Sequence, residues 1–331
     1  MGGLSLRLQR IWYEAEPVPI WLSALEPVYR ALRAIDLWTY RTGLRRTRRV
    51  AAPVVVVGNL TAGGSGKTPL VIALTEALRA RGFRPGIVSR GYGGTQKKPA
   101  LLDDAPDPRR YGDEPTLMRR RTGALVAVGT DRARAAELLI RHGANVVIAD
   151  DGLQNPSLAR DIEICVIDGQ RRFGNERQLP AGPLREPLAG LADVDYRVCN
   201  GVRAEPGEIA MRLAGDMAVA VSGAGRARPL SSFSRKRVHA VAAIGNPGRF
   251  FTGLQARGID VIPHPFPDHH AFKPADLAFA DRLPVLMTEK DAIKCLGFAG
   301  EDAWCVPVSA ELPPEFIEAL VARLKSQDVR G

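Results

Sequence analysis

The sequence predicts an α/β fold in which a phosphate-binding, mostly parallel sheet is joined to a smaller second α/β domain. Apolar strands alternate with helical segments along most of the chain, which is typical of a parallel sheet with crossover helices. One glycine-rich turn separates the first strand of this alternation from its helix. The alternation pauses around residues 204–235 and then resumes without a second such turn. We therefore expect two units, of which the first binds phosphate.

The glycine-rich turn follows four consecutive valines, Val54–Val57, which indicate a strand buried on both faces. Helical periodicity begins at Pro69–Leu78. Between the two stand Gly63, Gly64, Ser65, Gly66, Lys67 and Thr68. Such glycines let backbone N–H groups converge on phosphate oxygens at a helix N-terminus. We expect Lys67 to reach the β- and γ-phosphates of a nucleoside triphosphate and Thr68 to ligate Mg²⁺, in a domain that is P-loop NTPase-like.

This loop departs from the usual pattern at one position. The glycine expected six residues before the lysine is Thr61 here. The local form resembles the variant loops of signal-recognition and MinD-type nucleotidases, although Ala62 stands where those loops carry an extra lysine. The loop by itself therefore leaves open a switch-type nucleotidase or a metallochaperone.

Candidate ligand contacts follow the second predicted strand, Arg84–Ser89. Arg90 and Tyr92 lie in the glycine-rich loop behind it, at the edge where doubly wound sheets bind ligands. A flexible connector is the alternative. Further on, Asp113 and Glu114 begin a helix. On the sequence alone their charges are better explained by the helix dipole than by a base or a metal contact.

A second pair of carboxylates ends the strand predicted at residues 145–150. An apolar strand that ends in Asp150 and Asp151, downstream of a phosphate loop, predicts that one carboxylate holds Mg²⁺ and the other acts on the reacting group. Capping of the next helix is the alternative. Arg185, in the loop behind the strand Ile162–Asp168, is a candidate anion contact.

Composition limits the possible classes of protein. The 331 residues contain 45% hydrophobic and 25% charged residues, as in ordinary globular proteins, and carry a formal net charge of +10. The four cysteines form no Cys-x-x-Cys pair, so neither a zinc site nor a disulfide framework is expected. No apolar run approaches the roughly 20 residues that span a bilayer. By charge alone, the candidate partners of the basic surface are nucleotide, nucleic acid and anionic lipid.

The N-terminal region combines aromatic, apolar and basic residues. Its apolar stripe at helical spacing comprises Trp21, Leu22, Leu25, Val28, Tyr29, Leu32 and Ile35. Residues 41–49 follow with five arginines and are typical of a segment beside an anionic membrane. A helix that packs this stripe on the body of the protein is an equally good interpretation of the periodicity. Pro27 is expected at a kink or in a first turn.

We divide the chain into five regions. The predicted regions are an N-terminal amphipathic helical region at 1–49, a P-loop core at 50–215, a two-stranded linker at 216–235, a smaller α/β domain at 236–310 and a C-terminal helix at 311–331. The linker strands are expected at 217–221 and 230–233, and a helix at 274–280. His269 and His270 lie in the smaller domain without a further cluster of metal ligands at suitable spacing.

Together these motifs resemble the tetraacyldisaccharide 4'-kinase family, which phosphorylates a lipid A precursor. The resemblance rests on residues 58–69, 89–93, 112–115, 150–154, 180–186, 245–251 and 268–270, in order over nearly the whole chain. One departure is Asn155, where the family pattern has histidine, so a role for that side chain is in doubt.

The resemblance implies ATP-dependent phosphorylation of the 4'-hydroxyl of tetraacyldisaccharide 1-phosphate. It further implies Mg²⁺, a peripheral enzyme on the cytoplasmic face of the bacterial inner membrane, and membrane contact through the N-terminal stripe. The implied catalytic residues are Asp113 as general base, His269 as its partner, Lys67 and Asp151. The implied metal contacts are Thr68, Asp150, Asp151 and Glu114, and the implied substrate contacts are Arg90, Tyr92 and Arg185.

Two other functions are weighed against this one. A switch nucleotidase would hydrolyse nucleotide without an acceptor lipid, and the motifs in the second half of the chain argue against it. A nucleic-acid-dependent ATPase is suggested only by the basic charge, and the sequence offers no recognition helix or stacking platform. We expect no nucleic acid and no obligatory protein partner.

Overall fold

The computed structural model describes residues 2–201, 203–223 and 225–328 of the protein. Its α-helices are α1 (Gly2–Tyr13), α2 (Ile20–Arg41), α3 (Lys67–Arg79), α4 (Pro108–Tyr111), α5 (Asp113–Thr122), α6 (Arg132–Arg141), α7 (Pro247–Gln255), α8 (Glu289–Cys295) and α9 (Pro314–Asp328). Its strands are β1 (Val54–Gly58), β2 (Pro85–Ser89), β3 (Ala100–Leu101), β4 (Leu125–Val128), β5 (Val146–Asp150), β6 (Ile162–Asp168), β7 (Tyr196–Asn200), β8 (Ile209–Ala214), β9 (Met217–Ala220), β10 (Ala227–Pro229), β11 (Arg237–Ala242), β12 (Asp260–Pro265), β13 (Val285–Thr288), β14 (Ala303–Val306) and β15 (Ser309–Glu311).

The larger sheet has the strand order β15-β8-β7-β6-β1-β5-β2-β4-β3. All its pairings are parallel except those of the two edge strands β3 and β15. All five residues of β1 are buried, as a parallel strand covered on both faces requires. Because β1 lies between β5 and β6, the loop behind it meets the ends of both neighbours. The α/β fold class is confirmed.

Apolar residues cover both faces of the larger sheet. On one face, α3 and α9 pack in a cluster that includes Leu74 and Leu320, both fully buried. On the other face, α6 contributes Leu139 to a second cluster with Val147 of β5. Each cluster removes a continuous apolar surface from water, which stabilises the sheet and holds its strand ends in fixed positions.

The smaller sheet has the order β10-β9-β14-β13-β11-β12. Its four strands β11–β14 are parallel, and β9 and β10 add antiparallel pairings at one edge. Phe233 and Trp304 lie in its core with their ring centroids 6.0 Å apart. The helices α7 and α8 follow β11 and β13 and present their N-termini on the side that faces the larger sheet.

Three sequence predictions differ from the structure. Residues 230–233, expected as a strand, form a 3-10 turn, because Leu230 and Phe233 are both buried and are three residues apart, the spacing that places side chains in line on such a turn. Residues 274–280, expected as a helix, contain only the 3-10 turn Pro274–Leu277. The strands β8 and β15 were not predicted; they pair with each other and extend the larger sheet.

The strand β9 pairs with β14, so the segment predicted as a separate linker joins the smaller sheet instead. The chain passes between the two sheets at residues 215–216 and again at 307–308. The division of the chain into domains stays a prediction.

The helix α2 lies on the body of the protein with five of the seven stripe residues turned outward. Trp21, Leu25, Val28, Leu32 and Ile35 are each 45–63% exposed. The other two contact the body: Leu22 is buried, and the Tyr29 hydroxyl donates to the carbonyl of Arg185 at 2.9 Å. The interpretation that the stripe packs on the body is therefore wrong for these five side chains. The helix also runs through Pro27 and begins directly after Pro19.

Within residues 2–201, 203–223 and 225–328, no helix has the length and apolar character needed to cross a membrane.

Candidate active site

The phosphate loop ends where α3 begins. Gly66 has a φ of 98°, a left-handed conformation that favours glycine, and Lys67 is the first residue of the helix. A Cβ at Gly66 would overlap the amide nitrogen of Asn200. That amide nitrogen donates to the Ser65 carbonyl at 2.9 Å. The loop therefore holds its backbone N–H groups open at a helix N-terminus, where anions bind.

The Lys67 ammonium lies between two partners at the end of β1 and β5. Its Nζ donates to Asn59 Oδ1 at 2.9 Å and lies 3.4 Å from Asp151 Oδ1. Asp151 also accepts from Arg185 Nη1 at 2.9 Å. Burial alone would raise the pKa of Asp151, but Lys67 and Arg185 lower that pKa to about 2. This carboxylate is therefore ionised and held in place by two cations.

Asp150 occupies a different environment although it is the neighbouring residue. Its side chain is buried, and Oδ2 accepts from the Ser89 hydroxyl at 3.0 Å. Oδ1 is buried and has no hydrogen-bond partner within the described residues. Burial, followed by the nearby charges of Glu114 and Asp151, raises the pKa of Asp150. The charges of Lys67 and Arg132 act in the opposite direction, but neither forms an ion pair with Asp150 among the described residues.

Asp113, the first residue of α5, faces a histidine from the smaller sheet's side of the molecule. His269 Nδ1 lies 3.2 Å from Asp113 Oδ1 and 3.1 Å from Oδ2. The Asp113 side chain is only 6% exposed. Burial alone would raise its pKa, but the hydrogen bond with His269 and the charge of Lys290 lower the pKa to about 2. The pair thus holds a buried carboxylate in its ionised form.

Lys290, in the first turn of α8, lies next to this pair. Its Nζ is 3.0 Å from Glu114 Oε1, 3.5 Å from Asp268 Oδ1 and 3.4 Å from His269 Nε2. Burial alone would lower the pKa of Lys290, but Glu114 and Asp113 raise that pKa above its ordinary value. Four charged or polar groups from two parts of the chain therefore meet around one ammonium.

The smaller sheet's side also reaches the phosphate loop. A Cβ at Gly245 would lie within 2.3 Å of the Gly64 nitrogen, so only glycine allows this approach of the two backbones. Arg171 joins them, because its Nη1 donates to the Gly245 carbonyl at 2.9 Å and its Nη2 to the Gly64 carbonyl at 2.8 Å. A cleft of about 1110 Å³ is enclosed between these contacts and the Asp113–His269 pair.

Comparison with known proteins identifies the family. A family profile described as LpxK, tetraacyldisaccharide-1-P 4'-kinase, matches residues 18–325. The tetraacyldisaccharide 4'-kinase of Xanthomonas euvesicatoria is 51% identical over 98% of this chain and 97% of its own length. The same-named protein of Stenotrophomonas maltophilia is 48% identical, again over 98% of both chains. The chain belongs to the tetraacyldisaccharide 4'-kinase family.

A solved structure agrees with this assignment. The crystal structure of the "apo" form of LpxK from Aquifex aeolicus in complex with ATP superposes with a TM-score of 0.74 and 27% sequence identity. The alignment covers 91% of this chain and 98% of that chain. The family resemblance predicted from the sequence is confirmed.

The structure of this tetraacyldisaccharide 4'-kinase family member brings most of the sequence-predicted site residues to one cleft. The cleft is lined by Gly63, Gly64, Ser65, Gly66, Lys67, Thr68, Arg90, Tyr92, Glu114, Asp150, Asp151, Arg185 and His269. Tyr92 packs its ring edge on His269, with the centroids 4.8 Å apart. His270 turns away and pairs with Asp276 at 2.9 Å. Arg185 is tied to Asp151, whereas Arg90 is exposed at the cleft.

Two predicted candidates have local partners that define their environment. Glu114 accepts from Lys290, and its charge also acts on Asp150, so it lies between the two carboxylate sites. Asn155, which stands where the family pattern has histidine, accepts from the hydroxyl and the N–H of Ser157 with its Oδ1 and forms a local turn.

Sequence reasoning missed several contributors to the site. They are Asn59, Ser89, Arg171, Asn200 and Lys290. Lys290 carried a recognisable signal, because Thr288 caps a helix that begins directly after the parallel strand β13. A polar residue in the first turn of such a helix lies at the ligand-binding edge of its sheet.

Proposed function

We propose that this protein transfers the γ-phosphoryl group of ATP to the 4'-hydroxyl of a tetraacyldisaccharide 1-phosphate, a step of lipid A biosynthesis. The family membership identifies the reaction class. The single structural observation that carries the proposal is the contact of Asp113 with His269, which lines the same cleft as the phosphate loop, because this contact would position a base near a nucleotide site.

The phosphate loop is the ATP subsite of this proposal. The backbone N–H groups of Gly63, Gly64, Ser65 and Gly66 would donate to phosphate oxygens at the N-terminus of α3. Lys67 would leave its contact with Asp151 and neutralise the β- and γ-phosphates. Phosphoryl transfer needs this kind of positioning and charge neutralisation more than covalent chemistry by the protein.

We propose Asp150, Asp151, Thr68 and Glu114 as contacts, direct or through water, for Mg²⁺. The fit is supported by the buried Asp150 Oδ1, which has no hydrogen-bond partner among the described residues. Mg²⁺ bound with ATP would neutralise charge on the β- and γ-phosphates. No group of three or more His, Cys, Asp or Glu suited to a metal occurs in the described part of the chain. Two carboxylates are enough, since Mg²⁺ usually keeps several waters and shares substrate phosphates.

Asp113 would act as the general base. It would accept the proton of the acceptor hydroxyl as the oxygen forms its bond to phosphorus and the bond between phosphorus and the ADP oxygen breaks. His269 would orient the carboxylate and stabilise it once the proton has arrived. Arg90, Tyr92 and Arg185 would contact the acceptor sugar or phosphate groups; Arg90 and Tyr92 are exposed, and Arg185 is half-buried.

The outward stripe of α2 would meet the membrane that holds the acceptor. An acceptor with four acyl chains stays in the bilayer, so the enzyme must reach it there. Six large apolar side chains along one helix face, Trp21, Leu25, Val28, Leu32, Ile35 and Trp38, are each at least 45% exposed. Residues 41–49 add positive charge that anionic lipid attracts. We therefore propose peripheral binding at the cytoplasmic face of the inner membrane.

The decisive test is an acceptor assay. Purified protein, γ-labelled ATP, Mg²⁺ and tetraacyldisaccharide 1-phosphate are combined in detergent micelles. We expect label in the glycolipid and its loss with Lys67→Ala, and an Arg282→Ala variant on the exposed surface serves as the matched control. Label that appears only as inorganic phosphate would instead support a switch nucleotidase and contradict the proposal.

The membrane part is tested separately by vesicle flotation. Leu32→Glu with Ile35→Glu should reduce binding to anionic vesicles, because two charges replace apolar contacts in the interface. ATP affinity in solution should stay unchanged, since α2 presents these residues away from the body. Equal flotation of the wild type and this variant would exclude the stripe as the docking face.

A further inference from the structure

Lys290 contacts the base and its histidine but has no assigned role in phosphoryl transfer. It comes from α8, whereas Asp113 and Glu114 come from α5. Its side chain is only 15% exposed. Burial of an ammonium is costly unless acceptors surround it, and this one has them in three directions. Its position beside the proposed general base indicates that Lys290 acts on that base or on the histidine next to it.

We infer that Lys290 is a positioning residue that holds His269 with its proton on Nδ1, and thereby sets the Asp113–His269 hydrogen bond. The inference rests on the proposed function only in calling Asp113 the base. The arrangement itself follows from the contacts around Lys290 and from the hydrogen-bonding capacities of the groups.

The first step is a count of donors and acceptors. A lysine ammonium has three N–H donors and no acceptor. Its nearest neighbours are Glu114 Oε1 at 3.0 Å, His269 Nε2 at 3.4 Å and Asp268 Oδ1 at 3.5 Å. The two carboxylates accept hydrogen bonds when they are ionised. His269 Nε2 can take the third donor only when it carries a lone pair rather than a proton.

The second step concerns the other ring nitrogen. His269 Nδ1 faces both oxygens of Asp113, at 3.1 and 3.2 Å. With Nε2 unprotonated, the neutral ring carries its proton on Nδ1, which then donates to the carboxylate. The opposite tautomer would point a lone pair at two carboxylate oxygens and an N–H at an ammonium. Both contacts would be repulsive, so the tautomer is fixed by the partners on the two sides.

The third step is the backbone of the histidine. His269 has a φ of 60°, in the left-handed region that residues other than glycine rarely adopt. Asp268 Oδ1 accepts the His269 N–H at 3.0 Å, and the same oxygen lies 3.5 Å from Lys290 Nζ. Lys290 therefore contacts both the ring and the turn that presents it. The strain in the turn is maintained by these surrounding contacts.

The remaining charged groups are consistent with this role. Lys294 Nζ is 4.0 Å from Asp113 Oδ2 but pairs more closely with Asp291, at 2.8 Å. Glu289, the residue before Lys290, also bridges α8 and α5, since Arg121 Nη1 donates to it at 2.7 Å. That bridge does not reach His269. Adjacent residues of α8 therefore offer a test residue and a control that share the same pair of helices.

The test combines kinetics with the state of the histidine ring. We compare the wild type with Lys290→Met, Lys290→Arg and Glu289→Gln in the acceptor assay. We expect Lys290→Met to lower kcat by about a hundredfold, the usual contribution of a positioned acid–base group, with little change in KM for ATP. Lys290→Arg, which also only donates, should recover part of the loss. Glu289→Gln should stay close to the wild type.

The ring is observed by nitrogen NMR of ¹⁵N-histidine-labelled protein, with the His269 signal identified from its absence in His269→Gln. We expect an unprotonated Nε2 and a protonated Nδ1 in the wild type, and loss of that single pattern in Lys290→Met. Protonated Nε2 in the wild type would overturn the inference. So would an unchanged kcat in Lys290→Met, or a loss no larger than that of Glu289→Gln, which would indicate helix docking alone.

Failure of the proposed function would have a different signature. A wild type that labels no glycolipid, yet shows the expected His269 pattern and its loss in Lys290→Met, would support the positioning by Lys290 and reject the kinase reaction instead. A change confined to KM for ATP would overturn the inference and assign Lys290 to nucleotide binding.

Discussion

The two carboxylate sites of the cleft are built in different ways. Asp150 is the last residue of β5 and Asp151 follows it, and their partners Ser89, Lys67 and Arg185 all belong to the larger sheet and its loops. Asp113 also belongs to that side, but His269 and Lys290 come from the part of the chain that forms the smaller sheet. We name the two sites the nucleotide half and the base half after the roles proposed for them; the side-chain partners of the two aspartates in the nucleotide half all lie on one sheet. The base half is complete only when the two parts of the molecule meet.

The base half depends on how the two parts of the chain are arranged. A phosphate loop that lies on one part would bind ATP in any arrangement of the two. The contacts of Asp113 with His269 and Lys290 exist only when the parts meet as they do in this structure. Exclusion of water on such an approach would also limit hydrolysis of a bound nucleotide.

The largest expected effect comes from the base itself. Asp113→Asn should lower kcat by about 10²- to 10⁴-fold, because the amide cannot accept the hydroxyl proton. The affinity for ATP should be unchanged, since no residue of the phosphate loop touches Asp113. Calorimetric titration with ATP and the acceptor assay measure the two quantities on the same protein. Weak ATP binding by the folded variant would mean that the two halves are not independent.

A second prediction separates the two halves by steric means. Gly245→Ala adds a Cβ that would lie 2.3 Å from the Gly64 nitrogen, so the smaller sheet's side must move away. Overpacking of this kind costs up to about 3 kcal/mol. We expect kcat to fall because His269 leaves Asp113, while Lys67 keeps its contact with Asn59. Gly248→Ala, whose Cβ would meet nothing closer than 3.8 Å, is the matched control.

The outcome is read from kcat together with amide hydrogen exchange around Asp113. Faster exchange there, without a change at the strand β1, would support separate assembly of the base half. Wild-type kcat in Gly245→Ala would show that the close approach of the two backbones is not needed for the reaction.

The third prediction concerns pH and stability. The pKa of Asp113 falls from 3.8 to about 2 on folding. A depressed folded pKa contributes stability that is present above the unfolded pKa and is lost as pH falls through the folded value. The shift corresponds to about 2 kcal/mol. The free energy of unfolding of the wild type minus that of Asp113→Asn should therefore decrease between about pH 4 and pH 2.

Urea denaturation at a series of pH values gives this difference directly. A difference that does not vary over that range would contradict the ionised, His269-bound state of Asp113.

The nucleotide half was predictable because its residues are close together in the sequence. The strand of valines, the glycine turn and Lys67 form one short segment. Asp150 and Asp151 are recognisable because they stand at the end of another apolar strand. Because the ends of parallel strands meet at one edge of a sheet, the sequence was enough to predict that these side chains lie close together. The outward orientation of α2 was left open, because periodicity identifies an apolar face without telling what covers it.

The base half was less accessible to sequence reasoning. Asp113 and His269 are 156 residues apart, and on the sequence alone a role at the helix N-terminus explained Asp113 better than a role as a base. Lys290 was missed because the Thr288 cap marks the start of its helix but not the element that this helix faces. Its importance appears only when the smaller sheet positions α8 against α5. The strand predicted at residues 230–233 was wrong for a local reason. The three-residue spacing of its apolar side chains fits a 3-10 turn and not a strand.

The smallest expected effect is that of Arg33→Met, which tests whether contacts of α2 influence the nucleotide half of the cleft. Arg33 of α2 donates to Glu186 at 2.6 Å, next to Arg185, which holds Asp151. Arg33→Met should cost no more than about 1 kcal/mol of stability, since partly exposed ion pairs contribute little. It should raise KM for the acceptor lipid modestly, because α2 is held less firmly beside the cleft. The ATP affinity and the His269 signal should not change. An altered His269 signal would mean that the position of α2 also affects the Asp113–His269 contact. Binding of α2 to the membrane would then change both halves of the cleft.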